Sequence, residues 1–137
     1  MNTAEMVDKR IEELKKMVSE SGMSLSEAIF ETAKLCVDWP YVWSAWGAYC
    51  TPAERRKRNT RPDEHPTIVS ACQVLNGSKA SCNGCKWYPD GKNVRCYDCR
   101  GFTAWNVRQY GLSMEGSTVA SQWNNSDNWR TKGTIDT

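Results

Sequence analysis

Residues 96–105, Cys96-Tyr97-Asp98-Cys99-Arg100-Gly101-Phe102-Thr103-Ala104-Trp105, place a cysteine between an acid and a base at what reads as the start of a helix. Phe102, Trp105, Asn106, Val107 and Tyr110 recur at helical spacing, and Gly111 supplies a left-handed cap at the far end. Cys99 therefore falls at the helix N-terminus. Unpaired backbone N–H groups and the positive end of the helix dipole meet there, which favours a thiolate over a thiol. A thiolate serves either as a nucleophile or as a metal ligand. The commoner fate of such a cysteine is burial as a small apolar side chain, so its chemistry depends on what the rest of the chain brings to it.

The metal alternative has its own pattern. Cys82-Asn83-Gly84-Cys85 is a two-residue-gap knuckle whose glycine permits a tight turn, and ten residues later Cys96-Tyr97-Asp98-Cys99 repeats the gap. This is the spacing of a short zinc ribbon. A zinc-bound sulfur is neutralised and shielded, so Cys99 does not serve both roles. With Cys99 kept as nucleophile, the cysteines nearest in sequence for a tetrahedral structural zinc site are Cys72, Cys82, Cys85 and Cys96. Free thiols or disulfides are the alternatives for the same sulfurs.

The elements that position these groups follow from periodicity. Residues 3–20 form an amphipathic helix with Val7, Ile11, Leu14 and Val18 on one face and Gly22 just beyond it. It reads as a helix packed on the domain, with an oligomer or docking helix as the other use. A second helix begins at the capping box Ser24-x-x-Glu27 and turns Leu25, Ala28, Ile29, Thr32, Ala33 and Cys36 to one side, so Cys36 is expected in the core. Residues 50–97 are rich in Pro, Gly, Asn, Ser and charge, with little periodicity, and read as an irregular insertion. After Gly111, a short helical pattern holds Thr118, Ser121, Gln122 and Trp123.

Three segments in order, Trp39-Pro40-Tyr41-Val42-Trp43-Ser44-Ala45-Trp46-Gly47, then Asp98-Cys99-Arg100-Gly101-Phe102, then the Ser/Gln-bearing helix, resemble the NlpC-type bacterial cell-wall endopeptidases of the papain-like clan. The resemblance covers residues 27–137 and implies an α+β, papain-like domain over 23–137, preceded by the helix of 1–22 and interrupted by the cysteine-rich insertion. It also implies a cysteine peptidase that cleaves stem peptides of peptidoglycan, commonly between D-glutamate and a diamino acid. Carried over by position, Cys99 is the nucleophile, Asp98 holds the substrate's free amine, and the Tyr41 hydroxyl lines the site. Arg100 stands where the family has a serine and is assigned to the substrate subsite with them. The second glycine after the tryptophan motif is absent.

A cysteine peptidase needs a base within reach of the thiol, nearly always histidine, and a group to orient it. The chain has one histidine, His65, in the polar stretch Arg61-Pro62-Asp63-Glu64-His65-Pro66, upstream of Cys99, whereas the family's histidine follows the nucleophile on a strand. Residues 129–137 read like the lead-in to the family's first central strand. The expectation is therefore a catalytic domain cut short before most of its antiparallel sheet, weak in catalysis as it stands. A further segment or a partner chain would supply the histidine.

Eighteen basic and sixteen acidic side chains among 137 residues leave a net charge of +2, which sets up no field demanding nucleic acid or an anionic membrane. The local run Arg55-Arg56-Lys57-Arg58 with Arg61 nevertheless supports a rival function, a small zinc-ribbon-like nucleic-acid-binding module, although a solvated loop is the ordinary state of such a run. Seven tryptophans suit core packing better than stacking on glycan rings. No apolar run approaches the roughly 20 residues that span a bilayer, and Met1-Asn2-Thr3-Ala4-Glu5 lacks the basic and apolar regions of a signal peptide. Synthesis in the cytoplasm is expected, and a wall hydrolase made that way would need a phage particle or lysis system to carry it out.

Overall fold

The computed structural model describes residues 2–58, 85, 87, 93–114 and 119–125. Among them the architecture is mixed α and β: five helices and one two-stranded antiparallel sheet. Helix α1 spans Ala4–Glu20 and α2 Leu25–Leu35; strand β1 is Trp46–Tyr49; α3 is Pro52–Arg58; β2 is Arg95–Tyr97; α4 is Cys99–Arg108 and α5 Val119–Asn124. None of these helices is long and apolar enough to cross a membrane.

Side-chain caps start the first two helices. Thr3 accepts from the Met6 amide before α1, and Ser24 from the Glu27 amide before α2, each satisfying one of the orphan donors of a first turn. Ala4, Val7, Ile11 and Leu14 form the buried stripe of α1. On α2, Ala28 and Thr32 are buried, followed by Cys36 at its C-cap, while Leu25, Ile29 and Ala33 are only half-buried. The N-terminal helix belongs to the same core as the rest. Asn2 donates to the Leu35 carbonyl at 2.9 Å, Trp39 Nε1 donates to the Asn2 carbonyl at 2.8 Å, and the Ala4 amide donates to Asn93 O at 2.7 Å. Arg95 adds a clasp: its guanidinium donates to Asp8 at 2.9 Å and to Gly47 O at 2.8 Å, joining α1, β1 and β2.

Tyr97 stands at the centre of the core. Its ring stacks on Trp39 at 6.1 Å, meets Phe102 edge-on at 5.2 Å, and tilts against Trp105 at 5.3 Å. Such aromatic pairs contribute about 0.5–1.5 kcal/mol each beyond the area they bury. Gly47, at φ +107°, makes this packing possible, because a Cβ there would overlap the Trp105 ring and stand 2.9 Å from the Tyr97 ring. Buried Trp39, Trp87 and Trp105 bear out the core role expected of tryptophan, whereas Trp46 stays exposed.

Residues 50–97 are not irregular throughout, which corrects the sequence reading. The segment contains α3 and β2, and β2 pairs with β1 in the register Trp46↔Tyr97 and Tyr49↔Arg95, with an irregularity between the two pairs. Helix α3 has a physical cause. Thr51 Oγ1 accepts from the Glu54 amide at 3.1 Å, and Pro52 sits at the first helical position, where its missing N–H costs nothing.

Candidate active site

Backbone pairing between residues 40–45 and the β2–α4 junction builds the site. The Tyr97 amide donates to Pro40 O at 3.3 Å and its carbonyl accepts from Val42 at 2.9 Å, so Tyr41 is held in a parallel bridge beside β2. The Asp98 amide then donates to Ala45 O at 2.8 Å and fixes where α4 begins. Asp98 is the N-cap: Oδ1 accepts from the Gly101 amide at 2.6 Å. At the other end of α4, the Gly111 and Leu112 amides return to Arg108 O and Val107 O, with Gly111 at φ 75°, the left-handed cap its sequence position announced.

Cys99 is the first residue of α4 and is exposed. It borders an open cavity of about 310 Å³ together with Tyr41 and Asp98, over an apolar floor that includes Val37, Trp39 and Phe102. The structure thus brings together three of the four site residues read from sequence. The fourth, Arg100, does not line the cavity; its guanidinium lies 4.8 Å over the Trp46 ring, with Arg58 and Arg108 at 5.8 and 5.9 Å from the same indole. Burial, followed by the nearby Cys99 and Asp98, pushes the Tyr41 hydroxyl above its ordinary range. It therefore remains a protonated donor at neutral pH. One carboxylate oxygen of Asp98 is used by the helix cap, and the other makes no hydrogen bond among the described residues. The cavity offers a sulfur nucleophile, a carboxylate able to pair with an ammonium, and a phenol able to donate to an oxyanion.

Cys36 lines the same cavity, and sequence reasoning placed it only in the core. Burial pushes its thiol up to about 11, against the opposing pull of the facing Tyr97 hydroxyl and of Arg95. At pH 8 fewer than about one Cys36 in a hundred is ionised. Iodoacetamide at that pH is expected to alkylate Cys99 rapidly and to leave Cys36 and Cys96 unmodified until denaturant is added. Peptide mapping of the carboxyamidomethyl groups checks this order.

The proposed metal ligands divide. Cys85 and Cys96 are buried, whereas Cys72 and Cys82 lie outside the described residues, as do His65, Arg61, Thr118 and residues 126–137. Among the described residues no group of three His, Cys, Asp or Glu side chains is gathered closely enough to hold an ion. A different set does converge. Arg55, from the run read as a solvated or phosphate-contacting face, is 2% exposed. Its Nε and Nη2 donate to Cys50 Sγ at 3.2 and 3.0 Å, and Nη2 also to Cys85 Sγ at 3.4 Å. Arg58 of the same run pairs with Glu54. Only Arg56 and Lys57 of the four are exposed. Spacing gave no hint of this cluster, because nothing in the sequence pairs Arg55 with Cys50 until α3 forms. No protein-family model matches the chain, and no curated protein or solved structure matches it.

Proposed function

We propose that this chain carries the nucleophile-bearing part of an NlpC-type, papain-like cysteine endopeptidase acting on peptidoglycan stem peptides. The observation that supports the reading is the shared cavity, where the exposed Cys99 sulfur at the head of α4 stands with Asp98 and Tyr41. A substrate's free amine pairs with Asp98, which brings the neighbouring amide carbonyl toward Cys99. The thiolate adds to that carbonyl, Tyr41 donates to the developing oxyanion, and the amine leaves to give a thioester that water hydrolyses. The base that takes the Cys99 proton comes from outside the described residues, by a further segment or a partner chain.

The test is a wall-derived tetrapeptide stem incubated with the purified chain and followed by mass spectrometry. Slow cleavage at the D-glutamyl bond that survives His65→Ala fits the proposal. Cleavage abolished by His65→Ala would place the base within this chain and overturn the part of the reading that assigns it elsewhere.

A further inference from the structure

Three guanidiniums gather on one exposed indole. Trp46, on β1, is 42% exposed, and the guanidinium carbons of Arg100, Arg58 and Arg108 lie 4.8, 5.8 and 5.9 Å from its ring centre. Two helices bring them there. Arg100 and Arg108 stand eight positions apart on α4, about 12 Å along its axis, so they share one side and their long side chains close on the ring from both ends. Gly101 seats that helix against the Trp46 backbone. Arg58 arrives from the last position of α3, with Arg56 and Lys57 exposed just before it. Of the three arginines at the ring, Arg58 has Glu54 as its partner, whereas no Asp or Glu among the described residues pairs with Arg100 or Arg108.

Each of these charges lies nearer the ring centre than the ~8 Å over which physiological salt screens, so their fields add and an anion placed among them relieves the repulsion. A guanidinium stacked on an aromatic ring keeps the N–H edge of its plane for hydrogen bonds, and that edge fits phosphate or carboxylate oxygens. With three guanidiniums over its ring, the indole has little face left for a nucleobase to stack on, and a net charge of +2 gives no long-range pull toward nucleic acid. The chemistry that suits the surface is a flexible chain of closely spaced oxyanions without bases. We propose that this face docks the phosphodiester-linked polyol chains of the cell wall, with Arg100 and Arg108 on phosphate oxygens and Trp46 holding their guanidiniums in place. The wall as the source of that polymer rests on the peptidase reading, whereas the anion-binding surface does not. Arg100 follows Cys99 in the chain, so polymer held there keeps the cavity close to the stem peptides.

The experiment sediments the full chain with purified wall sacculi that either retain their phosphodiester polymer or have been stripped of it by hydrofluoric acid. The chain is expected to sediment with intact sacculi at about 50 mM salt, with affinity falling about tenfold by about 200 mM. Stripped sacculi should bind about tenfold more weakly, and so should intact sacculi presented with the double variant Arg100→Gln, Arg108→Gln. Arg108→Gln alone, at an exposed position, keeps the test decisive if the double variant fails to fold, with an expected loss of about threefold. Absence of binding, equal binding to intact and stripped sacculi, or binding indifferent to both arginines would overturn the proposal. So would a single-stranded oligonucleotide that displaces the chain from sacculi at lower concentration than the free polymer does. A chain that binds intact sacculi but cleaves no stem peptide supports this proposal and contradicts the peptidase reading; one that cleaves but binds stripped sacculi equally well does the reverse.

Discussion

Changing Cys99 to serine is expected to bring the slow cleavage of a wall stem peptide down to the uncatalysed background, while leaving the fold unchanged. The stability half follows from position. The side chain is exposed and no hydrogen bond among the described residues depends on it, and surface substitutions of this kind stay within about 0.5 kcal/mol. The activity half follows from chemistry. A serine hydroxyl is a poor nucleophile unless a base is poised to remove its proton, whereas a thiol reaches the ionised state far more easily. Parallel kinetics and thermal unfolding on Cys99→Ser separate the two halves. Residual cleavage near the parent rate would remove Cys99 from the chemistry.

Gly101→Ala is expected to destabilise the chain by about 2–3 kcal/mol, although alanine is the better helix former. Replacing glycine inside a helix gains at most about 1 kcal/mol of propensity. Against that, a Cβ on residue 101 would overlap the Ala45 carbonyl oxygen and stand 2.8 Å from the Trp46 Cα. Both are backbone atoms, so neither swings aside. The Ala45 oxygen is further held by the Asp98 amide at 2.8 Å, and the Gly101 amide by the Asp98 carboxylate at 2.6 Å. Overpacking of well-filled sites costs about 1–3 kcal/mol, more when the backbone must move. For a chain of this size the loss lowers Tm by about 10 °C. Because the strain falls on the first turn of α4, alkylation of Cys99 should change as well. Unchanged unfolding in a thermal scan would mean that this contact is looser than its geometry.

The helices that legibility favoured were those with both a stripe and a stop. Helix α1 has its Val7–Ile11–Leu14 face, α2 its Ser24 capping box, and α4 its aromatic spacing closed by Gly111; each lies within a few residues of its expected position. Helix α3 was missed although Thr51-Pro52-Ala53-Glu54 holds a capping box with proline at the first position, because the charged run after it has no apolar stripe to draw attention. The strands were illegible for another reason. With four residues in β1 and three in β2 they are too short for alternation to register, and their pairing joins positions far apart in sequence, Trp46 to Tyr97 and Tyr49 to Arg95.

The site divided in the same way. Cys99 and Asp98 are neighbours in sequence and were bound to fall together, and Tyr41 was placed with them through the resemblance rather than through any local pattern. The bridge of Tyr97 to Pro40 and Val42 supplies the physical reason that this residue reaches the cavity. Arg100 shares the helix start but follows its own flat guanidinium to the exposed Trp46 indole. The buried setting of Arg55 was hidden because a basic run normally stays in water, and the tertiary approach of Cys50 and Cys85 gives Arg55 sulfur acceptors.

The most direct measurement is covalent trapping. A stem-peptide analogue bearing an electrophilic ketone or vinyl sulfone at the scissile carbonyl should form one adduct per chain, mapped to Cys99, with its rate reduced by Asp98→Asn and by blocking the peptide's free amine. An adduct on another residue, or reaction at Cys99 that is indifferent to both the peptide and Asp98, would contradict the account.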